Sequence, residues 1–190
     1  MRYIRDYFKT GATQSIAFRK EQLKNLKKTI LKYEQELYEA LYKDLRKSKE
    51  EVWVTETGMV LTELNQAIKN IEHWTNPEQV PTNLLNLPSV SKIYNEPLGV
   101  VLIIGPWNYP LLQISWKVAP ALVAGCSFII KPSELSPSTA IHLMTLLEEA
   151  GLPKGVANLI CGAGATAGAP LTEDPRVDLV SFTGGLVTGR

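Results

Sequence analysis

Four short apolar runs in the second half of the chain constrain its fold more than any other feature. They are Val100 to Ile104, Ser127 to Ile130, Val156 to Ile160 and Asp178 to Phe182. Segments rich in small and helix-forming residues separate the runs, and this alternation is typical of a parallel sheet covered by helices. The sequence therefore predicts an α/β fold, with an open parallel Rossmann-like sheet over residues 99–190.

Two of the separating segments carry clear helix signals. Ser136 and Pro137 are typical of an N-cap and a first helical position, and Gly151 is typical of the residue that closes a helix. A second helix is predicted from Leu111 to Ala124, with a kink at Pro120.

The first part of the chain is predicted to be helical. From Ser15 to Asp44, and again from Glu50 to Trp74, apolar residues recur at three- and four-residue steps among lysines and glutamates. This pattern indicates amphipathic helices. Their charged residues are interpreted as solvated faces. Residues 75–98 contain four prolines and favour extended or hairpin structure, with a short strand at Val90 to Tyr94.

Composition excludes several classes of partner. The net charge of the 190-residue chain is +1 and its lysines are dispersed, so neither nucleic acid nor an anionic membrane is expected as its main partner. Cys126 and Cys161 are the only cysteines, without CxxC spacing, so no metal site or disulfide framework is expected. The cysteine usage favours a reducing cytoplasm. No run approaches the roughly 18 apolar residues of a membrane span, so a soluble protein is expected.

A polar or glycine-rich segment follows each apolar run. The segments are Gly105 to Pro110 (GPWNYP), Lys131 to Glu134 (KPSE), Gly162 to Gly168 (GAGATAG) and Thr183 to Gly189 (TGGLVTG). Because the carboxyl ends of parallel strands share one edge of a sheet, the four segments are expected to converge there. Ligands of open α/β sheets bind at that edge.

Taken singly, each segment leaves alternatives open. The GAGATAG segment satisfies G-x-G-x-x-G/A but lacks a secure acidic partner about 20 residues further on, so it is either a phosphate contact or a glycine turn. Lys131 is either a surface cation or, together with Glu134, a ligand for ribose hydroxyls. The turn Thr183 to Gly185 leads toward a helix whose free N–H groups favour an anion such as pyrophosphate.

Taken together, GPWNYP, KPSE, the Gly162 to Gly168 segment and FTGG at Phe182 to Gly185 resemble the NAD(P)-dependent aldehyde dehydrogenases. KTGAT, KDL and EPLGVV upstream look most like the class 3, fatty-aldehyde-type branch. The resemblance covers nearly the whole chain. It implies oxidation of an aldehyde to a carboxylate, and a homodimer in the full-length family.

The resemblance also implies a domain organisation. Residues 1–75 would be the helical part of the cofactor-binding domain, residues 76–98 a hairpin, and residues 99–190 an incomplete NAD-binding core without the catalytic domain.

By the same resemblance, Asn108 would donate its side-chain amide to the oxyanion of a thiohemiacetal, held in place by Trp107 and Tyr109. Lys131 and Glu134 would bind the ribose hydroxyls of the adenosine, and the glutamate favours NAD, although NADP is also possible. Gly185 stands where the family usually has a serine. The implied cofactor contacts are Ile104, Gly105, Trp107, Lys131, Pro132, Ser133, Glu134, Gly164, Thr183, Gly184 and Gly185.

The family's nucleophilic cysteine and general-base glutamate lie downstream of the TGG turn, so the chain is expected to lack both and to be inactive alone. Cys126 is expected to be an inert core residue. A second interpretation is an interaction module that pairs with a separate carboxyl-terminal half or an intact homologue. A third, a complete enzyme of other chemistry, depends on Cys161 alone.

Overall fold

The computed structural model describes residues 2–190. Its first part is helical, with α1 (Arg2–Lys9), α2 (Ile16–Lys32), α3 (Glu34–Leu45), α4 (Lys49–Val52) and α5 (Gly58–Thr75). A π-helical turn, Trp53–Thr57, joins α4 to α5. The helix predicted from Glu50 to Trp74 is therefore present, with a wider turn near its start.

The single helix predicted from Ser15 to Asp44 is wrong, because the chain breaks at Tyr33 between α2 and α3. Tyr33 leaves the helical conformation at φ −111° and ψ 31°. Leu26 and Ile30 before the break, and Leu37 and Leu41 after it, are all buried in the same core. The apolar spacing continues across the break, so periodicity alone does not reveal it.

The proline-containing segment forms a hairpin. Strands β1 (Glu78–Val80) and β2 (Ser91–Ile93) pair antiparallel, with Glu78 opposite Ile93. A 3-10 turn, Leu84–Asn86, lies between them. The strand predicted at Val90 to Tyr94 is confirmed within these shorter bounds.

The second part contains a parallel four-stranded sheet in the order β5-β4-β3-β6. Its strands are β3 (Val100–Ile104), β4 (Ser127–Lys131), β5 (Ala157–Leu159) and β6 (Leu179–Phe182). Ile104 pairs with both Lys131 and Phe182, so three strands end level with one another. The predicted fold class is confirmed, and the loops after these strands begin at one edge.

Successive strand residues point to opposite faces of the sheet, and those of β3 and β4 are buried on both faces. Helices cover both faces. Helices α6 (Pro110–Ala124) and α7 (Pro137–Glu149) pack with α2, α3 and α5 over the larger core. Ile4 of α1 and Leu171 of the short α8 (Ala169–Thr172) pack against Val100, Leu102 and Ile129 on the other face. A π-helical turn, Gly164–Gly168, precedes α8.

Long-range ion pairs and caps connect the two parts. Arg5 of α1 donates to Asp178 Oδ2 at 2.8 Å, and the same oxygen accepts the N–H of Val100 at 2.8 Å. Gly99 has no side chain to obstruct this carboxylate, since a Cβ there would lie 2.0 Å from Asp178 Oδ2. The bridge ties the amino-terminal helix to the start of both β3 and β6.

The amino end of α7 is capped differently from the prediction. Ser136 makes no side-chain capping bond. Instead, Asp44 at the end of α3 accepts the N–H of Ser138 at 3.1 Å and the N–H of Thr139 at 2.8 Å. Asp44 is therefore a structural contact and not part of a solvated face.

Candidate functional site

A cleft of about 500 Å³ lies at the carboxyl edge of the sheet, where the segments after the strands converge. Every predicted site residue except Pro132 lines it. The structure adds Pro106, Gly168, Phe182 and Thr188, which lie within the predicted segments, and Gln113, which lies outside them. Gln113 lies on the first turn of α6, three residues after Pro110 ends the GPWNYP segment. Its position one helical turn after that segment is a signal that could have identified it.

Lys131 ends β4 inside this cleft and is only 4% exposed. Its ammonium donates to the carbonyl of Pro132 at 3.0 Å and lies 3.6 Å from Glu134 Oε2. The half-exposed Glu134 carboxylate leaves oxygens open to the cleft. A buried ammonium beside a more exposed carboxylate can donate to, and accept from, a pair of neighbouring hydroxyl groups.

The turn Gly105 to Tyr109 forms the opposite wall. Gly105 lies against Ile114 of α6, and a Cβ at this position would be 2.6 Å from the Ile114 side chain. Trp107 and Asn108 are exposed toward the cleft that they line. In the described part of the chain the Asn108 carboxamide has no hydrogen-bond partner, while its backbone carbonyl accepts from Lys47 Nζ at 2.9 Å. The side-chain amide is thus available as a donor on a turn held by its backbone.

A buried ion pair lies beneath that turn. Lys47 Nζ is 2.6 Å from Glu56 Oε1, and Glu56 is fully buried. Glu56 Oε2 accepts the N–H groups of Leu111 at 2.8 Å and Leu112 at 3.2 Å. Burial raises the pKa of Glu56, against the opposing hydrogen bonds from Lys47 and the two amides. Glu56 was predicted to lie on a solvated helix face, and the structure corrects this, whereas Lys47 lies between the two predicted helices.

The turn after β6 forms the third wall and differs in its chemistry. The ring of Phe182 packs against Gly184, where a Cβ would lie 2.5 Å from it. The backbone N–H groups from Gly184 to Val187 donate to no acceptor within residues 2–190. Such a run of free N–H groups is suited to an anion.

An apolar groove of about 440 Å³ borders the first turns of α6. Its lining includes Trp53 and Val54 of the π-helical turn, Met59 of α5, and Leu112 and Trp116 of α6. Sequence analysis missed this surface, because its residues come from two distant helices. In the sequence, each of these apolar residues is indistinguishable from an ordinary core residue of a helix.

Cys126, Cys161 and Lys117 lie outside the cleft lining. Cys126 is buried and Cys161 is exposed, and neither lines the cleft. Lys117 of α6 donates to the carbonyl of Ile104 at 3.0 Å, and burial lowers the pKa of Lys117 to about 8. Within residues 2–190, no cluster of three His, Cys, Asp or Glu side chains could hold a metal ion.

Together the parallel sheet, its helical layers and the cleft at its carboxyl edge define a Rossmann-like ligand-binding α/β protein. The chain belongs to the aldehyde dehydrogenase family, whose model matches residues 3–190. Betaine aldehyde dehydrogenase of Bacillus subtilis is 60% identical over 102 residues, which are 54% of this chain and 21% of the relative.

Other relatives match more of the chain. The 4,4'-diaponeurosporen-aldehyde dehydrogenase of Staphylococcus aureus is 45% identical over 143 residues, 75% of this chain and 31% of the relative. A substrate-bound structure of Staphylococcus aureus AldH aligns with a TM-score of 0.91 at 39% identity, covering 99% of this chain and 40% of that one. Betaine aldehyde dehydrogenase from the same organism, in complex with NAD+, aligns with a TM-score of 0.85 at 39% identity, covering 98% of this chain and 37% of that one.

The chain therefore spans well under half the length of these relatives. They give no support to the predicted fatty-aldehyde branch within the family. Among residues 2–190, no helix combines the length and apolar character required to traverse a lipid bilayer.

Proposed function

We propose that this chain forms the NAD-binding side of an aldehyde dehydrogenase that oxidises an aldehyde to a carboxylate. The observation that carries the proposal is the pairing of Lys131 and Glu134 in the same cleft as an unpartnered Asn108 carboxamide. When bound, NAD supplies the hydride acceptor. The residues of this chain supply the binding site for NAD and a hydrogen-bond donor for the reacting oxygen of the aldehyde.

The adenosine ribose and the pyrophosphate of the cofactor are proposed to bind at different walls of the cleft. Lys131 donates to the ribose hydroxyls of the adenosine, and Glu134 accepts from them. The carboxylate of Glu134 would repel a 2′-phosphate, which favours NAD over NADP. The amino ends of α6 and α7 already hold carboxylates, Glu56 and Asp44. The pyrophosphate is therefore assigned to the free N–H groups after β6.

Asn108 is proposed to stabilise the oxyanion that forms when a nucleophile adds to the aldehyde carbonyl. A neutral amide donor on a turn whose backbone carbonyl is held by Lys47 can stabilise the negative charge that develops at the wall of the cleft. The apolar groove that contains Trp53 and Trp116 is proposed to receive the substituent of the aldehyde. An apolar lining suits a hydrocarbon substituent on the aldehyde.

Neither cysteine is proposed as the nucleophile, because Cys126 is buried and Cys161 does not line the cleft. We accordingly expect no turnover from the 190-residue chain alone. NADH formation from NAD and a panel of aldehydes measures this. Activity that survives further purification and disappears in Cys161→Ala would contradict the assignment.

Calorimetric titration with NAD and NADP tests the cofactor seat. Loss of a charge-assisted hydrogen bond in Lys131→Met should weaken NAD binding about ten-fold or more. Glu134→Gln should narrow the preference for NAD over NADP. Lys92→Met, on the exposed hairpin strand β2, is the matched control and should bind NAD normally. Unchanged NAD affinity in Lys131→Met would refute the proposed binding site for the adenosine ribose.

A second candidate function, pairing with further polypeptide, is favoured by one surface. Leu179 and Val180 of the edge strand β6 are exposed, and an apolar groove of about 630 Å³ runs from Leu179 to Leu98 and Trp116. An unpaired edge beside apolar surface favours addition of another chain. Sedimentation with and without the carboxyl-terminal portion of a relative tests this, and independent sedimentation of the two would exclude it.

A further inference from the structure

The GPWNYP turn has no side-chain cap of its own. Tyr109, the residue at the cap position of α6, makes no capping hydrogen bond from its side chain. Asn108 does not cap the helix either, and its carboxamide has no partner in the described part of the chain. The orientation of the turn must therefore be set by residues outside it.

Glu56 supplies the missing cap from 55 residues away. It lies in the π-helical turn Trp53–Thr57, and such turns are frequent at functional sites. Gly58 closes the turn tightly, since a Cβ there would lie 2.7 Å from the carbonyl of Trp53. This local geometry places the Glu56 carboxylate, fully buried, against the first two N–H groups that follow Pro110.

Lys47 completes the contact from a third segment of the chain. Its ammonium bonds to Glu56 Oε1 at 2.6 Å and to the Asn108 carbonyl at 2.9 Å. It also lies 4.1 Å from the centroid of the Tyr109 ring. One cation therefore contacts both the backbone carbonyl of Asn108 and the aromatic ring of the next residue.

A buried ion pair is by itself weak evidence for stability, because desolvation offsets much of the attraction between the charges. This pair, however, has its remaining hydrogen-bonding capacity directed at a single turn. Among residues 2–190, the other hydrogen bonds of the two side chains go to Asn108, Leu111 and Leu112. A role in fixing the geometry of that turn accounts for the pair better than stability alone.

We propose that Lys47 and Glu56 are positioning residues that hold the Asn108 carboxamide in the orientation required of an oxyanion donor. The inference rests on the proposed function of Asn108. Neither residue touches substrate or cofactor in this scheme, because both act through the backbone of the turn and the amino end of α6.

Nuclear magnetic resonance of the ¹⁵N-labelled 190-residue chain tests the inference without any ligand. The Asn108 carboxamide resonance is identified by its loss in Asn108→Asp. The variant Lys47→Met/Glu56→Gln leaves no uncompensated charge. It should shift and broaden the Asn108 carboxamide and accelerate hydrogen exchange at Leu111 and Leu112 about ten-fold or more.

Two further variants keep the result decisive. Lys20→Met/Glu72→Gln removes an exposed ion pair of the same 2.6 Å length and should change neither readout. Glu56→Asp keeps the charge pair but shortens the reach to α6, and it decides the matter if the double variant does not fold. The amide resonances of β4 report the fold and should be retained in Glu56→Asp.

A folded Glu56 variant with the unchanged Asn108 resonance and unchanged exchange at Leu111 and Leu112 overturns the inference. Equal acceleration across β4 and α6 also overturns it, because that result marks a general loss of stability. Titration of NAD into the same samples separates the two proposals. Failure of the unsubstituted chain to bind NAD contradicts the proposed function, while the ligand-free readouts still decide the positioning role.

Discussion

The amino ends of α6 and α7 and the turn after β6 face the same edge of the sheet but are completed in opposite ways. Glu56 and Asp44, contributed by the first helices of the chain, occupy the N–H groups of α6 and α7. The turn after β6 keeps its N–H groups open, and its residue Val187 is 94% exposed. At this edge of the sheet, the N–H groups of α6 and α7 are therefore used within the protein. Those of the turn after β6 stay available to an anionic ligand.

The largest effect is expected from removing the carboxylate that occupies the amino end of α6. Glu56→Leu leaves the ammonium of Lys47 buried without its partner, which should destabilise the chain by about 3–5 kcal/mol. Urea unfolding monitored by tryptophan fluorescence measures this. Glu72→Leu, at an exposed pair, should leave the midpoint unchanged. Equal midpoints for the two variants would show that the buried pair has no special importance.

Glycine substitutions compare an anchored helix with the open turn. Gly125 ends α6 at φ +78°, and a Cβ there would lie 2.5 Å from the Arg19 side chain. Arg19 cannot easily retreat, because it donates to the carbonyls of Thr13 and Val123. Gly125→Ala should cost about 1–3 kcal/mol. Gly185→Ala, with open space around it, should lie within about 0.5 kcal/mol of the unsubstituted chain. The reverse order in thermal unfolding would contradict the comparison.

Adding a hydroxyl donor to the turn after β6 tests whether that turn binds phosphate. A side chain at Gly185 meets nothing within 4 Å, so a serine hydroxyl can be accommodated there. Gly185→Ser should tighten NAD binding by about two- to ten-fold through one added hydrogen bond to phosphate. Calorimetry with NAD measures the gain, and Gly185→Ala controls for the added Cβ. An equal gain from alanine would point to backbone stiffening instead.

The smallest expected effect is a change in pH dependence at Lys117, which is half-buried beside the cleft. Its pKa is lowered from 10.5 to about 8 by burial, so the folded state disfavours its charged form. Below about pH 8 the folded and unfolded states are both protonated and the penalty is complete. Between about 8 and 10.5 the unfolded state holds more protons, so this contribution to stability improves as pH rises.

Lys117→Met should remove that rise. Unfolding by urea at about pH 7 and about pH 9.5 should therefore show a smaller gain for the variant than for the unsubstituted chain. Parallel pH profiles for the two proteins would assign the ionisation to another group.

The sequence predicted the elements whose signals are local. Apolar runs identified each strand of the parallel sheet, and the rule that parallel strands end at one edge predicted that their loops would converge. Lys131 and Glu134 were recognisable because both lie in one short segment after a strand. The domain boundaries and the roles of the cleft residues stay predictions.

What the sequence did not reveal depends on contacts between distant segments. Asp44 reaches its helix 94 residues along the chain, and Glu56 reaches its own 55 residues along. In isolation both are acidic residues of amphipathic helices, indistinguishable from solvated charges. The break at Tyr33 was not predicted for a related reason, because the two helices that it separates pack on the same core.

The bridge between Arg5 and Asp178 spans 173 residues, so it bears on the order of folding. During synthesis, α1 emerges long before its carboxylate partner exists. Contacts of such separation are expected to form late, since closing a long loop is entropically costly. The strand that begins beside Asp178 carries the open turn of the cleft. We therefore expect the cleft to assemble after the helical core, and a nascent chain that stops before Asp178 to hold α1 only loosely.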